Sequence, residues 1–208
     1  YIAIGALVLG LWQLQPSVSM ALFLLASAWH FGQADMEHWR SKKAKFTQLI
    51  WGAFVLGFIL LSHITELIPL IAQMGLHEVV YTGLIKFQPL FTVLLALSSI
   101  LVCMMFKKRQ VLETVIFLVL ACRLPLLETF AIYFLFQHSF HGWRHLKVLL
   151  NTSNLRMWVS ALPFTLASLL FFASYAFVAA PIVWGHVFIF LAAISFPHIL
   201  LMHRSYSN

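Results

Sequence analysis

The chain has 208 residues, of which 62% are hydrophobic and 9% charged, with a mean hydropathy of +0.93. A soluble domain carries about 25% charged and about 45–50% apolar residues, so this composition excludes an ordinary soluble fold and indicates a polytopic membrane protein. The formal charge of +7 does not point to nucleic acid, because the basic residues sit in short loops between hydrophobic runs.

A spanning helix needs about 20 mostly apolar residues. Hydropathy and breakers predict an all-α transmembrane bundle of eight segments in one domain, residues 1–208. The first segment, 1–14, begins at Tyr1 instead of Met, is too short to span unaided, and is expected to be truncated. The second covers 17–37, and the third 46–64. A longer connection follows, whose apolar stretch 67–74 is expected to lie in the interface as a short amphipathic helix. The fourth segment covers 89–106 and the fifth 110–124. Arg123-Leu-Pro125 breaks the fifth from the sixth, 126–145; the seventh and eighth cover 157–179 and 182–203. No stretch alternates as a barrel strand would.

The charges test this count independently. Arg40, Lys42, Lys43, Lys45, Lys107, Lys108, Arg109, Arg144, Lys147, Arg156 and Arg204 follow even-numbered segments, against only Lys86 and Arg123 on the other side. Short loops rich in Lys and Arg stay cytoplasmic, which predicts a multi-pass protein of the cell's inner or plasma membrane with a cytoplasmic C-terminus. Of the ten histidines, His30, His38, His138, His141, His145, His198 and His203 then share the cytoplasmic half. His63 and His186 are expected to be interfacial.

The densest chemistry is in residues 136–146, where His138, His141 and His145 follow at spacings of three and four. On a regular α-helix such spacings share one face. His138 and His145 are about 10.5 Å apart along the axis, too far for one ion. A single metal would therefore take His138 with His141, or His141 with His145. Imidazole is the commonest metal ligand near neutral pH, and intramembrane polar residues are functional by default. Around this cluster, Asp35 is a candidate for orienting an imidazole from behind, although its spacing of five does not put it on the face of His30. Glu128 is expected to favour the start of the sixth helix through the helix dipole. Pro197 is expected to kink the eighth segment and present His198. Cys103 and Cys122 lie in apolar segments and argue neither a disulfide framework nor a thiolate metal site.

The His-Phe-Gly-x-x-Asp of residues 30–35, the Pro-x-x-Glu of 125–128, Tyr133 ahead of a His-rich helix, and Pro197-His198 resemble the Brp/Blh family of membrane β-carotene 15,15′-dioxygenases. The resemblance covers about residues 18–203. The family's histidine pair four apart matches His141 and His145 before Leu146, and its first-helix Gly-x-x-His-Gly-x-x-Asp element does not occur in this chain. The resemblance implies an Fe(II) enzyme with His30, His141 and His145 as metal-binding and catalytic residues, a fourth ligand from the first-helix element, and His138 and His198 in reserve. Asp35 and Tyr133 would support the ligands or the substrate. The implied partners are β-carotene, O2, the lipid bilayer and a retinal acceptor such as an opsin. The implied reaction splits β-carotene at its central double bond into two all-trans-retinal molecules.

Two other classes compete on residue types alone. A di-iron membrane desaturase or hydroxylase uses His-x-x-x-His and His-x-x-His-His boxes, and this chain has no His-His pair. A non-enzymatic haem-binding or metal-binding membrane subunit would use histidines facing one another across two helices.

Overall fold

The structure is a computed structural model that describes residues 1–38, 45–178 and 183–207. It is all-helical, with no strand among the described residues. Arg40, Lys42 and Lys43 of the basic loops lie outside the described residues, as does the side chain of His38.

The elements are α1 (Ile2–Leu14), α2 (Pro16–His38), α3 (Lys45–Ser62), α4 (Ile64–Gln73), α5 (Glu78–Lys86), α6 (Gln88–Phe106) and α7 (Arg109–Ala121). Then follow α8 (Leu126–Ile132), a π-helical turn (Tyr133–Ser139), α9 (Phe140–Leu149), α10 (Asn154–Val178) and α11 (Trp184–Ser207). Of these, α3, α6, α10 and α11 are long and apolar enough to cross a membrane. The eight hydropathic segments each find a helix, but the sixth is not one regular helix, because the π turn interrupts it. Within the long connection, α5 is a second helix that hydropathy did not single out.

The centre of the fold is the pair α2 and α3. A Cβ at Gly32 would collide with the backbone carbonyl of Gln48, and one at Gly52 with that of Ala28. The two backbones therefore touch, as small residues allow in membrane bundles. Trp51, Val55 and Ile59 of α3 are completely buried behind this contact, with Phe54 and Phe58 beside them. The connection after α3 folds inward: Ile64, Leu67, Leu70 and Ile71 of α4 are buried, so its apolar face packs on protein. Gly75, at φ 83, reverses the chain after α4, a left-handed cap that glycine adopts without steric cost. Trp12 of α1 donates its Nε1–H to the carbonyl of Met74 at 3.1 Å and closes this side.

His63 packs inside the protein. It is buried, with its ring nitrogens 2.7 Å from the carbonyl oxygen of Ile59 and 2.9 Å from that of Leu124. A carbonyl left at a helix end needs a partner, and this imidazole ties the end of α3 to the turn before α8. Beside it, the Glu66 carboxylate accepts from the backbone N–H of Leu126 at 2.8 Å. Glu128 does sit in the first turn of α8, but Glu66 supplies that bond from another element.

Candidate metal centre

The π turn orders the site. Two stripes at spacing four run side by side along α8, the π turn and α9. Phe130, Phe134 and His138 form the first: the two phenyl rings stack at 5.9 Å, and the second lies 5.2 Å from the imidazole. Tyr133, Gln137 and His141 form the second, and all three reach Asp35. In a π-helix the hydrogen bond spans five residues instead of four, so the backbone is wider and residues four apart align more nearly than in an α-helix. Such turns are frequent at functional sites.

The first stripe delivers His138 to His30 of α2 and His198 of α11. The ring centroids of His30 and His138 are 4.9 Å apart, and those of His30 and His198 5.2 Å. One ligand atom from each of the three lies within 4.8 Å of the other two. His30 and His138 are buried, whereas His198 is accessible. Among the residues expected from the sequence, the structure thus brings His30 together with His138 and His198.

His141 and His145 are held by other groups. The Nδ1 of His141 is 2.9 Å from Oδ1 of Asp35. The Nε2 of His145 is 3.3 Å from Oγ of Ser205, tying α9 to α11.

Asp35 is fully buried. Its Oδ2 accepts from Trp51 Nε1 at 2.8 Å, Gln137 Nε2 at 2.9 Å and the Tyr133 hydroxyl at 3.2 Å. A buried carboxylate is tolerated when its lone pairs are met in this way. An ionised carboxylate only accepts, so Nδ1 of His141 is the donor to Oδ1 of Asp35. Metal-ligating histidines show this same arrangement, the far N–H donated to a carboxylate. The imidazole that Asp35 meets is that of His141, 106 residues away, and not that of its helix neighbour His30. Trp51 and Gln137 were not anticipated. Their only signal in the sequence is a polar atom within an apolar helix.

The donor set fits a borderline transition metal. Metal–imidazole bonds of about 2.0–2.1 Å put two nitrogens on one ion at most about 4.2 Å apart, so the trio has to close by less than an ångström. The Nδ1 of His138 is buried and finds no hydrogen-bond partner among the described residues. An unsatisfied buried nitrogen is costly, and a bound cation would satisfy it.

The trio ends a large apolar cavity of about 650 Å³. Met20, Phe23, Leu24, Leu60, Phe188 and Leu191 are among its walls, and α4 contributes Leu67, Leu70 and Ile71. Its only titratable lining residues among those described are His30, His138 and His198.

These features define a class: a helical bundle with membrane-length apolar helices that opens a hydrocarbon-lined cavity onto a cluster of imidazoles. Within that class the chain belongs to the beta-carotene 15,15'-dioxygenase family, whose model matches residues 1–205. Comparisons with curated proteins and with solved structures yield no match.

Proposed function

We propose that the protein is a multi-pass membrane enzyme that uses Fe(II) and O2 to cleave β-carotene at its central double bond, giving two all-trans-retinal molecules. The observation that carries this reading is the cavity, an apolar chamber whose only titratable lining among the described residues is the trio His30, His138 and His198. Those three would hold the iron. His141 stands outside the group whose ligand atoms lie within 4.8 Å of one another; with its Nδ1 on Asp35, it would join the ligand set through Nε2 after a further closing movement. Neutral imidazoles suit iron, and the iron, when bound, supplies the one-electron chemistry that lets oxygen react with an alkene.

The residues of the chain do the rest. The cavity wall binds the polyene by burial of apolar surface and excludes water. Phe134 and Phe31 pack against His138, with ring centroids at 5.2 and 4.6 Å, and limit the rotamers of that imidazole. Asp35 holds a proton on Nδ1 of His141. The reaction breaks one carbon–carbon double bond and makes two carbonyl groups, and each aldehyde receives one oxygen atom of O2. No proton is gained or lost, so no general base is required, in keeping with a cavity that has no carboxylate in its described lining. The substrate is bilayer-soluble, which accounts for a catalyst built among membrane helices. The basic loops after even-numbered segments favour a cytoplasmic C-terminus.

The test is expression of the full-length protein in a bacterium that accumulates β-carotene. Retinal should appear with wild type and not with His138→Ala. Untouched β-carotene in the presence of folded, iron-loaded protein would end the dioxygenase reading, and a product of another length would move the cleavage position.

A further inference from the structure

A second recess lies beyond the metal centre, where α9 turns into α10. It has a volume of about 680 Å³ and is lined by Arg144, Lys147, Phe140, Trp143, Thr152 and Asn154, among others. The spacing 140, 143, 144 and 147 is that of one helix face, whereas His141 and His145 reach Asp35 and Ser205. The helix α9 therefore carries imidazoles toward the site and two cations toward the recess.

The aromatic wall is fixed. The guanidinium of Arg144 stands 5.6 Å from the Phe140 ring centroid. Trp143 lies 5.1 Å from Trp158, and its Nε1–H points at Oδ1 of Asn154 at 3.5 Å. The floor is a reverse turn: Asn151 takes φ 43, and the N–H of Thr152 donates to the carbonyl of Lys147 at 3.2 Å, the closing bond of a left-handed helix cap. That turn leaves Thr152 Oγ1 buried without a hydrogen-bond partner among the described residues. No carboxylate is among the described residues that line the recess.

We propose that this recess binds a phosphate group, Arg144 and Lys147 supplying charge and the Thr152 hydroxyl a further donor. Phosphate oxygens accept charge-assisted bonds from such groups, which are about twice as strong as neutral ones. The source it fits is an anionic phospholipid. The membrane-length helix α10 starts at Asn154, so the recess lies at the end of a span, where tryptophans sit at headgroup level and basic pockets take phosphate headgroups. This assignment is independent of the oxidation chemistry.

The experiment uses the full-length protein, reconstituted in phosphatidylcholine nanodiscs with or without phosphatidylglycerol and then released for native mass spectrometry. Wild type should retain phosphatidylglycerol. The double variant R144Q/K147Q should lose that retention about tenfold or more, because it removes both charge-assisted donors to the phosphate. Thr152→Val, nearly isosteric, should weaken it severalfold without touching charge. The variant K107Q/K108Q removes the same charge from another loop and should behave as wild type. Equal loss in both double variants would mean bulk attraction and overturn the site, as would retention unchanged by R144Q/K147Q. A parallel melting series with inorganic phosphate in phosphatidylcholine nanodiscs distinguishes the source. Protection of wild type, but not of R144Q/K147Q, by inorganic phosphate without retained phosphatidylglycerol would overturn the lipid assignment and leave a soluble phosphate ligand.

Discussion

Replacing Asp35 by Asn tests whether its carboxylate fixes the tautomer of His141, a proposed metal ligand. Four buried or half-buried donors converge on Asp35, at 2.8, 2.9, 2.9 and 3.2 Å. A leucine there would strand all four, at about 1–3 kcal/mol each. That approaches the about 5–15 kcal/mol by which proteins are stable, so Asp35→Leu would report only on folding. Asp35→Asn keeps the shape and one acceptor oxygen. Three of the donors meet at Oδ2, so the amide oxygen belongs there and the NH2 group faces Nδ1 of His141. His141 must then accept at Nδ1 and carry its proton on Nε2, the nitrogen proposed to bind iron. Loss of the hydrogen-bond partner behind a ligating imidazole typically lowers metal affinity about 10–100-fold. The expected result is iron affinity reduced by that factor in a chelator-competition titration, with little loss of stability, because the switched tautomer still accepts from the new NH2 group. Iron affinity equal to wild type, in protein that melts normally, would refute the claim that Asp35 prepares His141 as a ligand.

Three further outcomes follow from the geometry. His138→Ala should remove bound iron, whereas His186→Ala, whose Nδ1 is 3.2 Å from the Tyr175 hydroxyl outside the trio, should leave it in place; metal analysis of the two purified variants decides this. Gly52→Ala should lower the melting temperature by several degrees, because its Cβ would overlap the Ala28 carbonyl and overpacking costs about 1–3 kcal/mol. Gly10→Ala, with open space around the new Cβ, should melt no lower than wild type. In a background with Cys103 and Cys122 replaced by Ser, Lys108→Cys should resist an impermeant thiol reagent applied to intact cells, and modification there would invert the proposed orientation.

The membrane-length elements were legible because apolar length and charged breakers are local properties. Residues 89–106 were expected as a segment, and α6 runs Gln88–Phe106; residues 157–179 were expected, and α10 runs Asn154–Val178. The inward fold of α4 was less legible. An amphipathic stretch such as 67–74 presents the same pattern whether its apolar face meets lipid or protein, and only the contacts distinguish them. His63 shows the same ambiguity. Its sequence context is that of an interfacial histidine, and its burial follows from two carbonyls, Ile59 and Leu124, that lie in different elements.

The site was legible by residue type and misgrouped by geometry. Counting three and four residues along a regular helix puts His138, His141 and His145 on one face. The π turn at Tyr133–Ser139 removes the premise of that count, because His138 and Ser139 lie within it and the step from His138 to His141 is not wholly that of a regular α-helix. The result is two neighbouring stripes with separate duties. One line, Phe130, Phe134 and His138, faces the cavity; the other, Tyr133, Gln137 and His141, faces Asp35. No propensity in the stretch 133–139 announces this, and its cause is tertiary. The acceptor at Asp35 is fixed by the glycine contacts of α2 and α3, and three residues four apart must reach it at once. A regular α-helix drifts by a fraction of a turn over eight residues, enough to take Tyr133 or His141 out of reach, whereas the wider turn keeps them aligned. The close approach at Gly32 and Gly52 is thus coupled to the candidate site. It places Trp51 and Asp35 together, and Asp35 sets the face on which the π turn must present its polar residues.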